Sequence, residues 1–199
     1  MQNPAAEAKA ALRRQMLAAR RSVPDQTHAD EAQALSDALV VFVSAQVGTG
    51  GTVCAYVPVG SEPGSPTMVD ALAATGVRVL LPVVDPGEPK PLRWAVHEPG
   101  QLIAARFGLR EPAGPRLSAG TVAEAAVLLI PALAVDRRGV RLGRGAGFYD
   151  RSLPLRDPAA RLVAVVRDSE FVDALPADPH DVPMTHVATP AAGVTELRN

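Results

Sequence analysis

The sequence is poor in cysteine, in aromatic residues and in net charge, and each shortage argues against a class of protein. Its single cysteine, Cys54, excludes an internal disulfide, and the apolar run around it predicts a buried side chain. A formal net charge of -1 leaves no global field to attract nucleic acid or an anionic membrane. Aromatic residues make up only 4%, and the arginines are interspersed with acids, so nucleic-acid binding is not expected.

Long apolar runs are also missing. No stretch approaches the ~18 residues that a membrane helix needs, and the N-terminus is polar and lacks the apolar centre of a signal peptide. We therefore expect a cytoplasmic protein with no membrane partner. The 199 residues, 47% of them hydrophobic, suffice for one sizeable core, which predicts a single domain over residues 1–199.

Two helices are predicted at the start of the chain. Asn3 and Pro4 suit an N-cap and a first helical position, and strong helix formers follow to about Ser22. A second helix is predicted from about Asp25 to Gln46.

The first helix carries two neighbouring stripes. The apolar stripe consists of Ala8, Leu12 and Met16, and the basic stripe of Lys9, Arg13 and Arg20. Taken alone, the basic stripe favours an ordinary solvated face.

From Gly51 the pattern changes to alternating strands and helices. The continuously apolar runs TVCAYVPV, VRVLLPVV, AAVLLIPALAVD and RLVAVVRD predict strands of a parallel sheet that is covered on both faces. A helix opened by Ser65 and Pro66 is predicted between the first two. LRWAVHE predicts a further strand that buries Trp94, and the proline-rich segment PADPHDVPMTHVATP is expected to be mostly irregular, with room for one short strand.

The segment RLGRGAGFYD, Arg141–Asp150, predicts an anion site. It follows a buried strand and leads into a predicted helix, which is where ligands bind in open α/β sheets. Alternating glycines let the backbone approach a ligand and turn N–H groups towards it, and the helix adds its positive end. Arg141 and Arg144 can add charge-assisted hydrogen bonds, and Asp150 is placed to hold Mg2+. The spacing matches neither familiar phosphate-loop pattern, so a flexible glycine loop with solvated arginines is the alternative.

Several segments together resemble the 5-formyltetrahydrofolate cyclo-ligase family, also called 5,10-methenyltetrahydrofolate synthetase. PALAVDRRGVRLGRGAGFYDRSL is similar to the family's signature and KAALRRQMLAARR to its N-terminal helix, while YVPVGSEPGS, VLLPVV and FGLREP follow in the family's order. The resemblance implies a three-layer α/β/α fold with a mostly parallel sheet, similar to the ribose-5-phosphate isomerase and CoA-transferase group. It also implies a ligase that uses ATP and Mg2+ to convert 5-formyltetrahydrofolate to 5,10-methenyltetrahydrofolate, ADP and phosphate.

The resemblance implies roles for individual residues. Arg144 and Asp150 would take part in catalysis, and Asp150 and Asp181 would hold Mg2+. Arg20 gains no role and is expected at the surface. The nucleotide-binding residues would be Lys9, Arg13, Arg141, Leu142, Gly143, Arg144, Gly145, Ala146, Gly147, Phe148 and Tyr149. The folate-binding residues would be Glu62, Phe107, Phe148 and Tyr149.

The chain departs from the family pattern at two places. Ala146 stands where the family usually carries a lysine, and Glu62 is followed by Pro63 and Gly64 rather than by an acid or amide and a threonine. The first departure motivates one alternative, a non-catalytic member that binds nucleotide or folate. The weak folate-side motifs motivate a second, a sugar-phosphate enzyme on the same fold group. The histidines lack a metal-like spacing and are expected to be structural or exposed.

Overall fold

The computed structural model describes residues 4–105, 108–178 and 181–197. Both N-terminal helices are present, with α1 over Pro4–Arg21 and α2 over Asp25–Gln46. The first helix is rich in alanine and straight-chain residues, which lose little freedom in a helix. It ends at Arg21, two residues before Val23, whose helical backbone is disfavoured because Pro24 follows it.

The remaining elements alternate strands with short helices. Along the chain they are β1 Thr52–Cys54, α3 Pro66–Ala74, β2 Arg78–Val83, β3 Arg93–Val96, β4 Leu102–Ala104, β5 Arg110–Pro112, β6 Ala125–Pro131, β7 Ala134–Asp136, β8 Arg141–Leu142, α4 Phe148–Ser152, β9 Arg161–Val165, β10 Phe171–Val172, β11 His186–Thr189 and β12 Gly193–Glu196. Short 3-10 turns cover 119–124 and 153–155.

A seven-stranded sheet forms the centre of the molecule, in the order β12-β11-β9-β6-β1-β2-β3. Its five inner strands pair in parallel, and only the edge strands β12 and β3 pair antiparallel. The prediction of an α/β fold with a mostly parallel sheet is therefore confirmed.

Both faces of this sheet are covered by apolar packing. Along β6, Val127 and Leu129 pack in the cluster formed with α2 and α3, whereas Leu128 and Ile130 pack in the opposite cluster, with α4 and the 3-10 turns. Because successive side chains of a strand point to opposite faces, a strand covered on both faces reads as a continuous apolar run. Cys54 and Trp94 are buried, as predicted.

The run AAVLLIPALAVD does not form one strand, so that prediction was wrong. β6 ends at Pro131, which has no N–H to continue a ladder, and β7 begins at Ala134 in a separate three-stranded sheet of order β10-β7-β8. The apolar stripe of α1 packs on this small sheet through Leu12 and Met16. The small sheet therefore carries the glycine-rich segment beside α1.

One further expectation needs correction. The strand predicted for TVCAYVPV comprises only its first three residues, although residues 55–57 remain buried. The proline-rich segment 176–190, expected to be mostly irregular with a short strand, contributes β11 to the parallel sheet, and β12 follows it at the sheet edge. Within the parts of the chain that the structure describes, no helix is long and apolar enough to cross a membrane.

Arg20 is buried, so the prediction that it lies at the surface was wrong. Its side chain is 1% exposed; Nε donates to Glu170 Oε1 at 2.6 Å, and Nη2 donates to Glu170 Oε2 at 2.8 Å. Nη2 also donates to the carbonyl oxygen of Ala132 at 2.5 Å, in the link between β6 and β7. This arginine therefore fastens α1 to the point where the chain leaves the main sheet.

Candidate functional site

A cleft of about 540 Å³ opens where the parallel strands β1, β2 and β6 end. Residues at the C-terminal ends of these strands, or directly after them, line the cleft, among them Tyr56, Pro82, Val84 and Pro131. The carboxyl ends of parallel strands are the usual ligand site of open α/β sheets. The lining is mainly apolar, with charged side chains from several elements, which suits a partly aromatic ligand bearing charged groups.

The glycine-rich segment forms one wall of this cleft, although its setting differs from the predicted one. It begins with β8 of the small sheet rather than after a strand of the main sheet, and α4, into which it leads, has only five residues. The expected contribution of a helix dipole is correspondingly small. The backbone of Gly145 (φ 101°) and Gly147 (φ 74°) lies in the left-handed region, which glycine adopts without strain.

Charged side chains converge on this segment. Arg144 Nε lies 3.0 Å from Glu62 Oε1, and Arg141 Nη2 donates to Asp150 Oδ1 at 2.5 Å. The Arg141 guanidinium also stands 5.5 Å from the centre of the Tyr149 ring, a cation–π distance. The structure thus brings together the predicted folate carboxylate, the predicted phosphate-binding arginines and the predicted metal ligand.

Arg13 of α1 contacts the glycine-rich segment from outside the cleft lining. Its Nε donates to the carbonyl oxygen of Gly143 at 3.0 Å, and its guanidinium lies 3.4 Å from the position that a side chain at Gly145 would occupy. Arg13 is not part of the cleft lining, and neither is Leu142, which packs in the core of the small sheet. In this arrangement Arg13 supports the conformation of the glycine-rich segment.

Lys9 and Asp181 lie together, away from the cleft lining. Lys9 Nζ donates to Asp178 Oδ2 at 2.5 Å and to Asp181 Oδ2 at 3.1 Å, and Lys9 is buried. Burial lowers the pKa of Lys9, but the hydrogen bonds that it donates to both carboxylates, together with their negative charges, outweigh burial and leave the pKa raised. The described residues contain no group of three or more side chains that could hold a metal ion. Of the two predicted metal ligands, only Asp150 borders the cleft.

Aromatic side chains line the cleft next to these charges. Phe148 and Tyr149 both border it and pack against the core beneath α4. The Tyr149 hydroxyl is buried and has no hydrogen-bond partner among the described residues, and burial raises its pKa. A buried hydroxyl without a hydrogen-bond partner costs folding free energy, and a ligand in the cleft that supplies a polar partner would recover part of this cost. Phe107, predicted to contact folate, lies outside the described residues.

Sequence reasoning missed four charged residues of the cleft lining, Arg20, Asp85, Arg110 and Glu111, of which the last two lie on β5. Glu111 is buried, and its Oε1 accepts a hydrogen bond from the Val84 N–H at 3.0 Å. Within the segment FGLREP, the family resemblance implied a role for Phe107 alone. A pair of adjacent charges inside an otherwise apolar and proline-punctuated stretch was the available signal.

Comparison with known proteins gives a consistent result. The family model described as the 5-formyltetrahydrofolate cyclo-ligase family matches residues 5–190. A protein named 5-formyltetrahydrofolate cyclo-ligase from Mycolicibacterium smegmatis is 54% identical over 193 residues, which cover 96% of this chain and 97% of that protein. The protein of the same name from Escherichia coli is 30% identical and covers 70% of this chain and 78% of its own length.

Solved structures agree with the fold. A 5,10-methenyltetrahydrofolate synthetase from Aquifex aeolicus superposes with a TM-score of 0.75 at 25% identity, over 96% of this chain and 93% of that one. The corresponding structure from Mycoplasma pneumoniae gives a TM-score of 0.71 at 22% identity, over 90% and 96% of the two chains. The second likeness supports the fold alone.

Proposed function

The chain belongs to the 5-formyltetrahydrofolate cyclo-ligase family, and we propose that it converts 5-formyltetrahydrofolate to 5,10-methenyltetrahydrofolate with ATP and Mg2+. It is an enzyme of the ligase class, as its relatives are named. ADP and phosphate would be the other products. The observation that carries the proposal is the 3.0 Å contact between Arg144 and Glu62, which joins a glycine-rich anion site to a carboxylate suited to a pterin within one cleft.

The reaction requires a poor leaving group to be activated. Transfer of the γ-phosphoryl group to the formyl oxygen releases ADP and turns that oxygen into part of a phosphate ester. The neighbouring amine nitrogen of the folate then attacks the formyl carbon and loses its proton. The carbon–oxygen bond breaks, phosphate departs and the ring is closed. Chemistry of this kind depends mainly on positioning and charge neutralisation.

The glycine-rich segment supplies a suitable anion site. Its left-handed glycines leave the backbone free of side chains along the cleft wall, so that N–H groups can approach phosphate oxygens. Arg141 and Arg144 line the same wall and can add charge-assisted hydrogen bonds. Asp150 offers a carboxylate at the cleft, the kind of oxygen ligand that Mg2+ takes alongside phosphates. When bound, Mg2+ would neutralise part of the triphosphate charge.

We propose that Arg144 supplies the positive charge that the family's lysine would provide at the position of Ala146. The Arg144 side chain is half exposed and lines the cleft, whereas Lys9 is buried between two carboxylates. Arg144 is therefore free to move from Glu62 to a phosphate oxygen when substrates bind. That movement would release the Glu62 carboxylate to accept hydrogen bonds from the N–H donors of the pterin.

The folate side of the cleft is apolar where the pterin ring would lie. Phe148 and Tyr149 provide ring surfaces, and the unpaired Tyr149 hydroxyl can bond a polar edge of the pterin. Glu62 is held in place by the Val59 N–H, which donates to Oε2 at 2.9 Å. A fixed carboxylate beside an apolar slot suits a ring with N–H donors on one edge.

The direct test is an assay of ring closure. Purified protein is mixed with 5-formyltetrahydrofolate and Mg-ATP, and the methenyl product is followed by its near-ultraviolet absorbance against a control without ATP. We expect absorbance to grow only with ATP. Binding of both substrates without growth would support the non-catalytic alternative that Ala146 suggested, and affinity for a phosphosugar with indifference to ATP would support the sugar-phosphate enzyme.

The glycine-rich segment is tested by Gly145→Ala. A side chain at φ 101° is strained, and this strain falls on the cleft wall itself, where the new Cβ would stand in van der Waals contact with the Arg13 guanidinium. We expect the Kd for Mg-ATP, measured by titration calorimetry, to rise about tenfold or more. The control is Gly100→Ala, which has a comparable φ of 77° in open space and lies outside the cleft lining. Equal ATP affinity in both variants would remove this segment from the nucleotide site.

A further inference from the structure

The charged groups of the cleft lining are almost completely paired. Each of the four carboxylates has an arginine within 4.0 Å: Glu62 has Arg144, Asp150 has Arg141, and Asp85 and Glu111 share Arg116. Three of the four arginines in the lining have a carboxylate partner: Arg20 has Glu170, Arg141 has Asp150 and Arg144 has Glu62. The fourth is Arg110.

Arg110 has no carboxylate within 4.0 Å among the residues that the structure describes. Its one hydrogen bond runs from Nη2 to the carbonyl oxygen of Leu102 at 3.4 Å, which is long for an N–H donor. The side chain is exposed, so its guanidinium retains most of its donors for another group. Among the described residues, Arg110 is thus the one cation of the cleft lining without a carboxylate partner.

We propose that Arg110 binds a carboxylate of the glutamyl tail of the folate substrate, an inference that rests on the proposed function. The two substrates bring two kinds of anion, the phosphates of ATP and the carboxylates of the folate tail. The glycine-rich segment, with Arg141 and Arg144, accounts for the phosphates. Arg110 belongs to a different element, β5, and its planar guanidinium matches a carboxylate with two parallel hydrogen bonds.

The neighbouring residue fixes the strand that carries Arg110. Glu111 is buried and accepts the Val84 N–H, which ties β5 to the chain just after β2, at the cleft wall. Successive side chains of a strand point in opposite directions, so the Glu111 side chain is buried while the Arg110 side chain is exposed to solvent. A flexible cation at a cleft border suits a mobile tail that extends out of the cleft.

The test compares two substrates in steady-state assays of the full chain. One is 5-formyltetrahydrofolate, and the other is the analogue without the glutamyl group, 5-formyltetrahydropteroate. We expect Arg110→Gln to raise the KM for the glutamyl substrate about tenfold, the loss of one charge-assisted pair, and to leave its kcat unchanged. The KM for the analogue and the KM for Mg-ATP should stay unchanged.

The control is Arg137→Gln, which removes one charge from an exposed pair with Asp173 outside the cleft lining. Arg137→Gln should change neither the KM for the glutamyl substrate nor the KM for the analogue. Added salt should raise the KM for the glutamyl substrate more steeply in the wild type than in Arg110→Gln, whereas the salt dependence for the analogue should be the same in both proteins. Equal KM increases for both folates, or an increase for Mg-ATP alone, would overturn the inference, as would an Arg110→Gln variant identical to the wild type.

Failure of the proposed function has a separate signature. A wild-type chain that forms no methenyl product with either folate would contradict the proposed function. The tail inference would then be decided by the Kd values of the same two folates, measured by calorimetry on the wild type and on Arg110→Gln. A loss of affinity in Arg110→Gln confined to the glutamyl compound would support it, and no selective loss would overturn it.

Discussion

Arg20→Ala is expected to lower the free energy of unfolding by about 3–5 kcal/mol, the usual cost of removing one partner of a buried ion pair. Glu170 would keep its charge at 4% side-chain exposure without the two hydrogen bonds that Arg20 donates. The carbonyl oxygen of Ala132 would lose its partner as well. Much of the cost is thus the desolvated charge left behind rather than the net strength of the pair.

The measurement is equilibrium unfolding in urea, with Arg137→Ala as the control. Arg137 also pairs with an aspartate, Asp173, but both side chains are largely exposed, and we expect a loss below about 1 kcal/mol. A double variant, Arg20→Met with Glu170→Gln, should recover part of the stability because it removes both charges of this buried pair. A loss below about 1 kcal/mol for Arg20→Ala would contradict the assignment of a buried pair.

The same residue shows where local sequence patterns stop being informative. The spacing of Lys9, Arg13 and Arg20 correctly predicts one shared stripe on α1. What faces that stripe is decided by chain segments more than 100 residues away, and these partners belong to the small sheet and to the segments around it. Helical periodicity predicts which residues share one face of a helix, but not which parts of the chain pack against that face.

Elements with a strong local signal were predicted well. The bounds of α2 follow from a long helical period that begins just after a proline, and the inner strands follow from apolar runs whose residues are buried on both faces. The break between β6 and β7 was missed because residues 125–135 carry no polar side chain, so the sequence pattern does not distinguish one long strand from two strands in different sheets. Only Pro131 within the run indicated a boundary.

The candidate site was predictable where it is contiguous in sequence. The glycine-rich segment carries its own signature, and the left-handed backbone of Gly145 and Gly147 agrees with the reason for placing glycine there. The contact of Arg144 with Glu62 spans 82 positions and joins the chain after β8 to the chain between β1 and α3, which no local sequence pattern predicts. Arg110 became a candidate only after every other charge of the cleft had a partner.

Asp150→Asn is expected to reduce kcat by about a hundredfold or more while lowering the free energy of unfolding by only about 1 kcal/mol. The amide keeps the volume of the side chain but not the anionic oxygen that Mg2+ prefers. The half-exposed carboxylate also loses its ion pair with Arg141, whose guanidinium retains its contact with the Tyr149 ring. A lowered apparent affinity for Mg2+, partly rescued by excess metal, should accompany the loss of turnover.

Two variants make the Asp150→Asn result specific. Asp173→Asn removes an exposed aspartate that is also paired with an arginine, and its kcat should match that of the wild type. Asp181→Asn addresses the second predicted ligand, which lies with Lys9 and outside the cleft lining. If Asp181 joins the metal only after Lys9 releases it, its variant will also require more Mg2+. If it remains with Lys9 throughout, only stability will change, and Asp150 will be the one carboxylate of the pair that the reaction uses. A fully active Asp150→Asn would remove it from the metal site.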